Sequence, residues 1–360
     1  MKIGILTYHN AHNYGAVLQC YALKRYLRML GHNVYVIDYR PRYIRYGLYD
    51  RDKWISLNPI KFAKKLWVQI RLFKKQKKRF DAFNNFIKTY ISPQYINLNV
   101  TENDTDCFIF GSDQIWRKTN DAFDPIYWGG FKAASSTTLI SYAASMGKDS
   151  LSAQEESQIQ EWLRHFTTVM VRETSLKEVL TPIFNNTIDV VVDPTLLLSA
   201  CEWDEIAVLP KRERPYILVY QVIDNPAALD IAKEVAKVMD AEIIELASEV
   251  KARKVCHTIV DCATPCEFLG WIRCAAMVVT TSFHGTAFSI IYRKPFVSVK
   301  QNRPSDLRIS SILESCCLQD RFLDCDKWAW STTLLEEPSP KCELIDFSKQ
   351  RLKSVLTKSS

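Results

Sequence analysis

Short apolar runs that break into small or polar residues recur along the chain. Residues 2–7 read as a buried strand. Residues 16–30 place Val17, Leu18, Tyr21, Ala22, Leu27 and Leu30 at helical spacing with Gly31 as the stop, and 34–37 read as a second strand, an opening β-α-β unit. Strands follow at 106–110, 139–142, 169–171 and 190–192, each running into a polar turn, so residues 1–205 read as one α/β domain whose strand ends line a site. A charged linker bounded by prolines, 210–215, precedes a second α/β domain at 216–325. There the pattern predicts strands at 216–221, 242–245, 277–279 and 296–299, with helices at 227–239, 265–274 and from the turn at 280–285 to about 292. A C-terminal extension, 326–360, carries a last amphipathic helix at 343–356. The expected fold is α/β: two Rossmann-like domains facing a cleft.

Charge changes this picture at one place. The chain of 360 residues carries a formal +7, yet 61–88 alone holds ten Lys/Arg against Asp81, a balance of +9. In the same stretch Phe62, Leu66, Ile70, Phe73, Phe80, Phe83 and Ile87 recur at three- and four-residue steps with one seven-residue gap. This predicts a basic helical insertion near 54–90, an amphipathic helix or helix pair whose polar face, with Lys74, Lys75, Lys77, Lys78 and Arg79, is basic. Such a face is either a solvated helix surface or a contact with anionic membrane lipid; nucleic acid is not expected, because no aromatic-basic recognition motif accompanies it. The first residues lack the apolar region of a signal peptide and no run approaches a membrane span, so a soluble, cytoplasmic protein is expected, with peripheral contact at the inner face of the membrane as an option. The eleven cysteines fit reduced thiols, and the densest group, Cys256, Cys262, Cys266 and Cys274, lacks the paired knuckles of a structural zinc site.

The turn Thr280-Thr281-Ser282-Phe283-His284-Gly285 opens a helix after a buried strand. Unpaired N–H groups and the positive helix end make an anion site there, and His284 adds a side chain that titrates near neutrality. The alternative is a helix cap with a satisfied, buried histidine. In the first strand-end loop, His9, His12 and Asn13 occupy the place where doubly wound sheets bind ligands, without the glycine fingerprint of dinucleotide folds. Asp113 follows Gly111-Ser112 at another strand end and reads as a ligand-facing carboxylate or a helix N-cap. Asp193-Pro194 reads as a turn or cap.

Six blocks, in order, resemble those of the polysaccharide pyruvyl transferase family: Asn13-Tyr14-Gly15-Ala16 with Leu18-Gln19, Gly111-Ser112-Asp113-Gln114-Ile115-Trp116, Tyr142-Ala143-Ala144-Ser145-Met146-Gly147, Val171-Arg172-Glu173, Asp193-Pro194-Thr195-Leu196-Leu197 and Ser282-Phe283-His284-Gly285. The resemblance spans nearly the whole chain and implies a GT-B-like architecture. It implies transfer of the three-carbon unit of phosphoenolpyruvate onto two hydroxyls of a sugar, in a cell-surface polysaccharide or its lipid-linked precursor, as a ketal with release of phosphate. It brings no cofactor and no metal, since arginines can hold the carboxylate and phosphate of the donor. On this reading His284 is the general acid and Asp113 the base or a sugar ligand. Arg172, Arg308, Ser282, Gly285, Arg293 and Lys300 surround the donor, and His9, His12 and Asn13 the acceptor. Two other classes remain open: a glycosyltransferase using a nucleotide sugar in the same architecture, and a basic membrane- or nucleic-acid-binding protein without turnover.

Overall fold

A computed structural model describes residues 1–41, 43, 59–98, 104–131, 133–134, 136–148, 150–251, 255–303, 305–324 and 331–358. The first sheet holds six parallel strands, β1 (Lys2–Leu6), β2 (Asn33–Val36), β3 (Cys107–Phe110), β4 (Thr138–Ala144), β5 (Thr168–Val171) and β6 (Ile188–Val190), in the order β2-β1-β3-β4-β5-β6. Helices α1 (Tyr14–Met29), α2 (Pro59–Phe86), α3 (Ala153–Leu163), α4 (Thr174–Leu180) and α5 (Ala200–Asp204) accompany it. The second sheet, also of six parallel strands, has the order β12-β11-β10-β7-β8-β9. Its strands are β7 (Tyr216–Gln221), β8 (Glu242–Ala247), β9 (Thr258–Val260), β10 (Met277–Thr280), β11 (Phe296–Val299) and β12 (Phe322–Leu323). Helices α6 (Pro226–Met239), α7 (Pro265–Cys274), α8 (Phe283–Ile291) and α9 (Ser305–Ser315) flank it, and α10 (Glu343–Lys358) follows.

Parallel strands covered on both faces must be apolar almost without alternation. Accordingly β3, β7, β10 and β11 are buried at every position. The connections are held by sequence-encoded caps: Ser152 with Glu155 starts α3, Ser199 with Glu202 starts α5, and Thr264 with Glu267 starts α7, each a reciprocal capping box. The two halves share a hydrophobic core. Tyr14 at the start of α1 stacks on Phe268 of α7 at 4.5 Å, and its hydroxyl donates to the Ala263 carbonyl. Helix α10 returns to the first sheet, where Ser348 Oγ accepts from the Val192 N–H and Arg351 bonds Asp189 at 2.6 Å.

The basic helix departs from its expected form. It runs unbroken from Pro59 to Phe86, continues in π geometry over Ile87–Ile91, and ends at Ser92 with φ +47°; residues 54–58 of the expected insertion lie outside the described residues. Arg79 is not on the basic surface. Its guanidinium is buried, donates to the Tyr14 hydroxyl and the Ser248 carbonyl (both 2.7 Å), and lies over the Tyr14 ring at 4.7 Å. Ile70 and Phe73, on the expected apolar face, are exposed. Periodicity groups apolar residues on an arc but cannot say whether another element covers that arc. No described helix is long and apolar enough to cross a membrane. Residues 326–330 and 359–360 of the expected C-terminal extension also lie outside the described residues.

Candidate functional site

A cavity of about 370 Å³ opens between the carboxyl ends of the strands of the two sheets. Its first-half wall is Tyr8, Ala11, Asn13, Ala16, Asp113, Gln114 and Arg117; its second-half wall is built from residues 222–223, 281–284, Gln301 and Arg308. Asn13 is the N-cap of α1, its side chain accepting from the Ala16 N–H. The Asp113 turn is braced against the first loop: Thr7 Oγ1 donates to the Ser112 carbonyl at 2.7 Å, and the Tyr8 hydroxyl to the Gln114 carbonyl at 3.1 Å. Asp113 itself has φ +75°, and its Oδ1 accepts from the Gln114 N–H.

Across the cavity, Ser282 is the N-cap of α8 but its side chain makes no cap bond, so the first turn keeps its N–H donors. His284 follows in that turn. Its ring packs against α1, where a β-carbon on Gly15 would lie 2.0 Å from His284 Nδ1; only glycine permits this approach. His284 Nε2 has no hydrogen-bond partner and lies 3.8 Å from Asp193 Oδ2. Burial pushes the pKa of His284 below the ordinary histidine value, and Arg172 and Arg308 add to this, while Asp193 and Asp113 oppose it.

Beneath His284 lies a buried ionic network. Asp193 is fully enclosed, accepting Thr195 N–H and Oγ1–H on one oxygen and Arg172 Nη1 (2.8 Å) and Ser112 Oγ (3.2 Å) on the other. Burial works against the Asp193 charge, but His284, Arg172 and the Thr195 bonds outweigh it and hold its pKa low. Arg172 also bonds Glu173 at 3.3 Å, and Glu173 accepts from Ser145 Oγ at 2.6 Å. Burial likewise opposes the Arg172 charge, yet Glu173 and Asp193 raise its pKa above the ordinary value. One Arg172 nitrogen, Nη2, is buried without a partner. Arg308, on α9, lines the cavity with no hydrogen bond or ion pair among the described residues. Burial and the nearby Arg172 push its pKa down. Arg308 and the partnerless Nη2 of Arg172 leave cationic donors that an anion can engage.

Of the expected site residues, His284, Asp113, Arg308, Ser282 and Asn13 line the cavity, and Arg172 lies directly behind His284 and Asp193. The others fall elsewhere. His9 is buried with Nε2 on Asp38 at 2.9 Å and Nδ1 against the Thr7 carbonyl. His12 stacks on the ring of Phe83 and meets Phe80 edge-on, both on α2. Gly285 faces its own strand: a β-carbon there would lie 2.2 Å from Thr280 Oγ1, so its lack of side chain serves helix–strand packing. Arg293 is exposed beyond the other end of α8, with φ +49°. Lys300 lines a neighbouring cavity of about 640 Å³ with Lys148 and Arg303. Sequence reasoning treated Asp193 as a turn former, which it also is, and overlooked Arg117, Gln114 and Gln301 on the cavity wall. Among the described residues no group of three His, Cys, Asp or Glu is placed to hold a metal.

Two parallel α/β sheets with a site at their facing strand ends define a GT-B-type fold. The same fold is found in the UDP-GlcNAc 2-epimerase of Methanocaldococcus jannaschii, with a TM-score of 0.51 at 12% identity over 99% of this chain and 100% of that one. It is found again in S. aureus MnaA, solved with UDP, with a TM-score of 0.50 at 7% identity over 99% and 96% of the two chains. The sequence profile of the polysaccharide pyruvyl transferases matches residues 13–303, and the chain belongs to that family. No curated protein matches the sequence.

Proposed function

We propose that this chain transfers the pyruvyl unit of phosphoenolpyruvate to two hydroxyls of one sugar, in a cell-surface polysaccharide or its lipid-linked precursor, forming a cyclic ketal and releasing phosphate. The observation that carries this reading is a cavity lined by His284 and Arg308 with Arg172 directly behind it; His284 Nε2 and Arg172 Nη2 have no hydrogen-bond partner. Phosphoenolpyruvate brings a carboxylate and a phosphate, which Arg308 and the open donors beside it can bind. Arg308, with the first-turn amides of α8, suits the more exposed anionic group, and Arg172 the deeper one.

In the reaction His284 gives a proton to the donor's methylene carbon, which becomes the methyl group, and one sugar hydroxyl adds to the adjacent carbon. The second hydroxyl then displaces phosphate from that carbon. Two hydroxyl protons leave the sugar; one restores His284 and the other departs with phosphate. Binding a dianion beside His284 favours the imidazolium that burial disfavours, so the donor itself arms the acid. Asp193 orients and stabilises that imidazolium from below. Asp113, across the cavity, takes the hydroxyl proton or binds the sugar, with Asn13 and Gln114 beside it.

Phosphate release from phosphoenolpyruvate, screened over acceptor sugars, tests the proposal. An acceptor-dependent release that His284→Ala lowers by at least about a hundredfold is expected, the usual scale for losing a general acid. Transfer from a nucleotide sugar in place of phosphoenolpyruvate, or unimpaired release by the variant, would overturn it.

A further inference from the structure

We propose that the amino-terminal half of α2 is a membrane-inserting edge, an apolar ridge that enters an anionic lipid surface while the lysines beyond it bind the headgroups. Ile60 is 81% exposed, Trp67 60%, Ile70 67% and Phe73 38%. At about 100° per residue these four fall within an arc of about 140°. Arg71, Lys74, Lys77 and Lys78 continue the same arc toward the carboxyl end. Leu72, Gln76, Arg79 and Phe83 lie on the opposite side, and the buried Arg79 and Phe83 fasten the helix to the body. The exposed ridge is therefore set in orientation by the fold.

Charge decides what covers it. Residues 59–78 contain eight Lys/Arg and no acid. Lys75 is engaged by Asp261 at 2.8 Å, Lys77 reaches Asp81 at 3.6 Å and Arg71 lies over the Trp67 ring at 5.5 Å, which leaves Lys74 and Lys78 without an ion pair among those placed. A second copy laid ridge to ridge would set like charges against each other. Nucleic acid would meet the cations and its bases could stack on Trp67 and Phe73, but it would leave the aliphatic Ile60 and Ile70 in water. An anionic bilayer satisfies both halves: apolar side chains enter the acyl boundary, tryptophan sits at the headgroup level, and basic residues bind phosphate. Docking by α2 is independent of the identity of the donor.

The test is co-sedimentation of the full chain with vesicles of phosphatidylglycerol and phosphatidylcholine mixed, and of phosphatidylcholine alone, at low and high salt. The parent should bind the anionic vesicles and bind the neutral ones much more weakly. Trp67→Gln with Ile70→Gln, both exposed and so compatible with folding, should lower the partition by at least about tenfold at unchanged charge. Lys74→Gln with Lys78→Gln should remove most of the salt-sensitive part. Absence of binding by the parent would overturn the proposal. So would equal binding by parent and Trp67/Ile70 variant, which would leave charge alone at work. Self-association lost in that variant, or binding to DNA but not vesicles, would assign the ridge to another partner and equally overturn it.

Discussion

Replacing Gly15 by alanine should cripple the site through one atom. The added β-carbon would lie 2.0 Å from His284 Nδ1, 2.3 Å from Cε1 and 2.5 Å from Cγ. Non-bonded heavy atoms approach comfortably to about 3.5 Å, so the ring or the end of α1 must retreat by about 1.5 Å. Alanine is a better helix former than glycine, so the local backbone effect is favourable and the penalty is the collision. A misplacement of about 1 Å in a reacting group costs on the order of a hundredfold, and overpacking costs about 1–3 kcal/mol of stability. Phosphate release from phosphoenolpyruvate, with the acceptor found by the screen, should fall about a hundredfold, alongside a modest loss in urea-monitored stability. The route is checked in the His284→Ala background, where the new methyl meets empty space: Gly15→Ala should then cost little further activity or stability. Parent-like turnover in Gly15→Ala, or an undiminished stability loss in the double variant, would refute the idea that Gly15 acts by admitting the His284 ring.

Arg172 and Arg308 should separate cleanly. Arg172→Ala leaves Asp193 and Glu173 uncompensated in the interior and should cost about 3–5 kcal/mol of stability by chemical denaturation, whereas Arg308→Ala should fold normally and weaken phosphoenolpyruvate binding by about 1.5–3 kcal/mol in calorimetry. The native pKa of His284 lies below its unfolded value, so on acidification the unfolded chain takes the proton first. Stability should therefore fall as pH drops below about 6.5 and level off once the native imidazole is protonated, and His284→Gln should flatten part of that slope in denaturation curves taken between pH 5 and 8. In the free enzyme the same depression leaves less imidazolium as pH rises, so kcat/KM should decline on the alkaline side. Arg79→Ala should cost about 1.5–3 kcal/mol by leaving the Tyr14 hydroxyl and Ser248 carbonyl without their donor, while Lys74→Gln on the same helix should be neutral in the same thermal assay.

The strands of the first sheet and the four central ones of the second were legible because parallel strands buried on two faces leave continuous apolar runs, whereas the short, partly exposed β9 and β12 leave none; the candidate site was legible because it sits where those runs break. Ser282–His284, Asp113 and Asn13 could be found as strand-end residues before any contact was known. Contacts remote in sequence were not legible. Asp193 reads as a cap before proline and does cap Thr195, and nothing local reveals that its other oxygen faces Arg172 and His284. His9 and His12 share the first loop with Asn13, but the chain turns one toward Asp38 and the other onto the aromatic side of α2. Arg79 is one cation in a basic run, singled out only by the carbonyls that meet it in the second half. Helical spacing likewise placed Ile70 and Phe73 on an apolar arc, while their exposure depends on what packs there.

Phosphoenolpyruvate should occupy the cavity of Arg308 and His284. Thermal unfolding of the parent and of Arg308→Ala, each with phosphoenolpyruvate or with UDP-GlcNAc, measures this without knowledge of the acceptor. A ligand of the native state at a hundred times its Kd adds about 2.7 kcal/mol, so phosphoenolpyruvate should raise the parent's melting temperature clearly, should do little for Arg308→Ala at the same concentration, and UDP-GlcNAc should do nothing for either. Stabilisation of the parent by UDP-GlcNAc with no effect of phosphoenolpyruvate would contradict it.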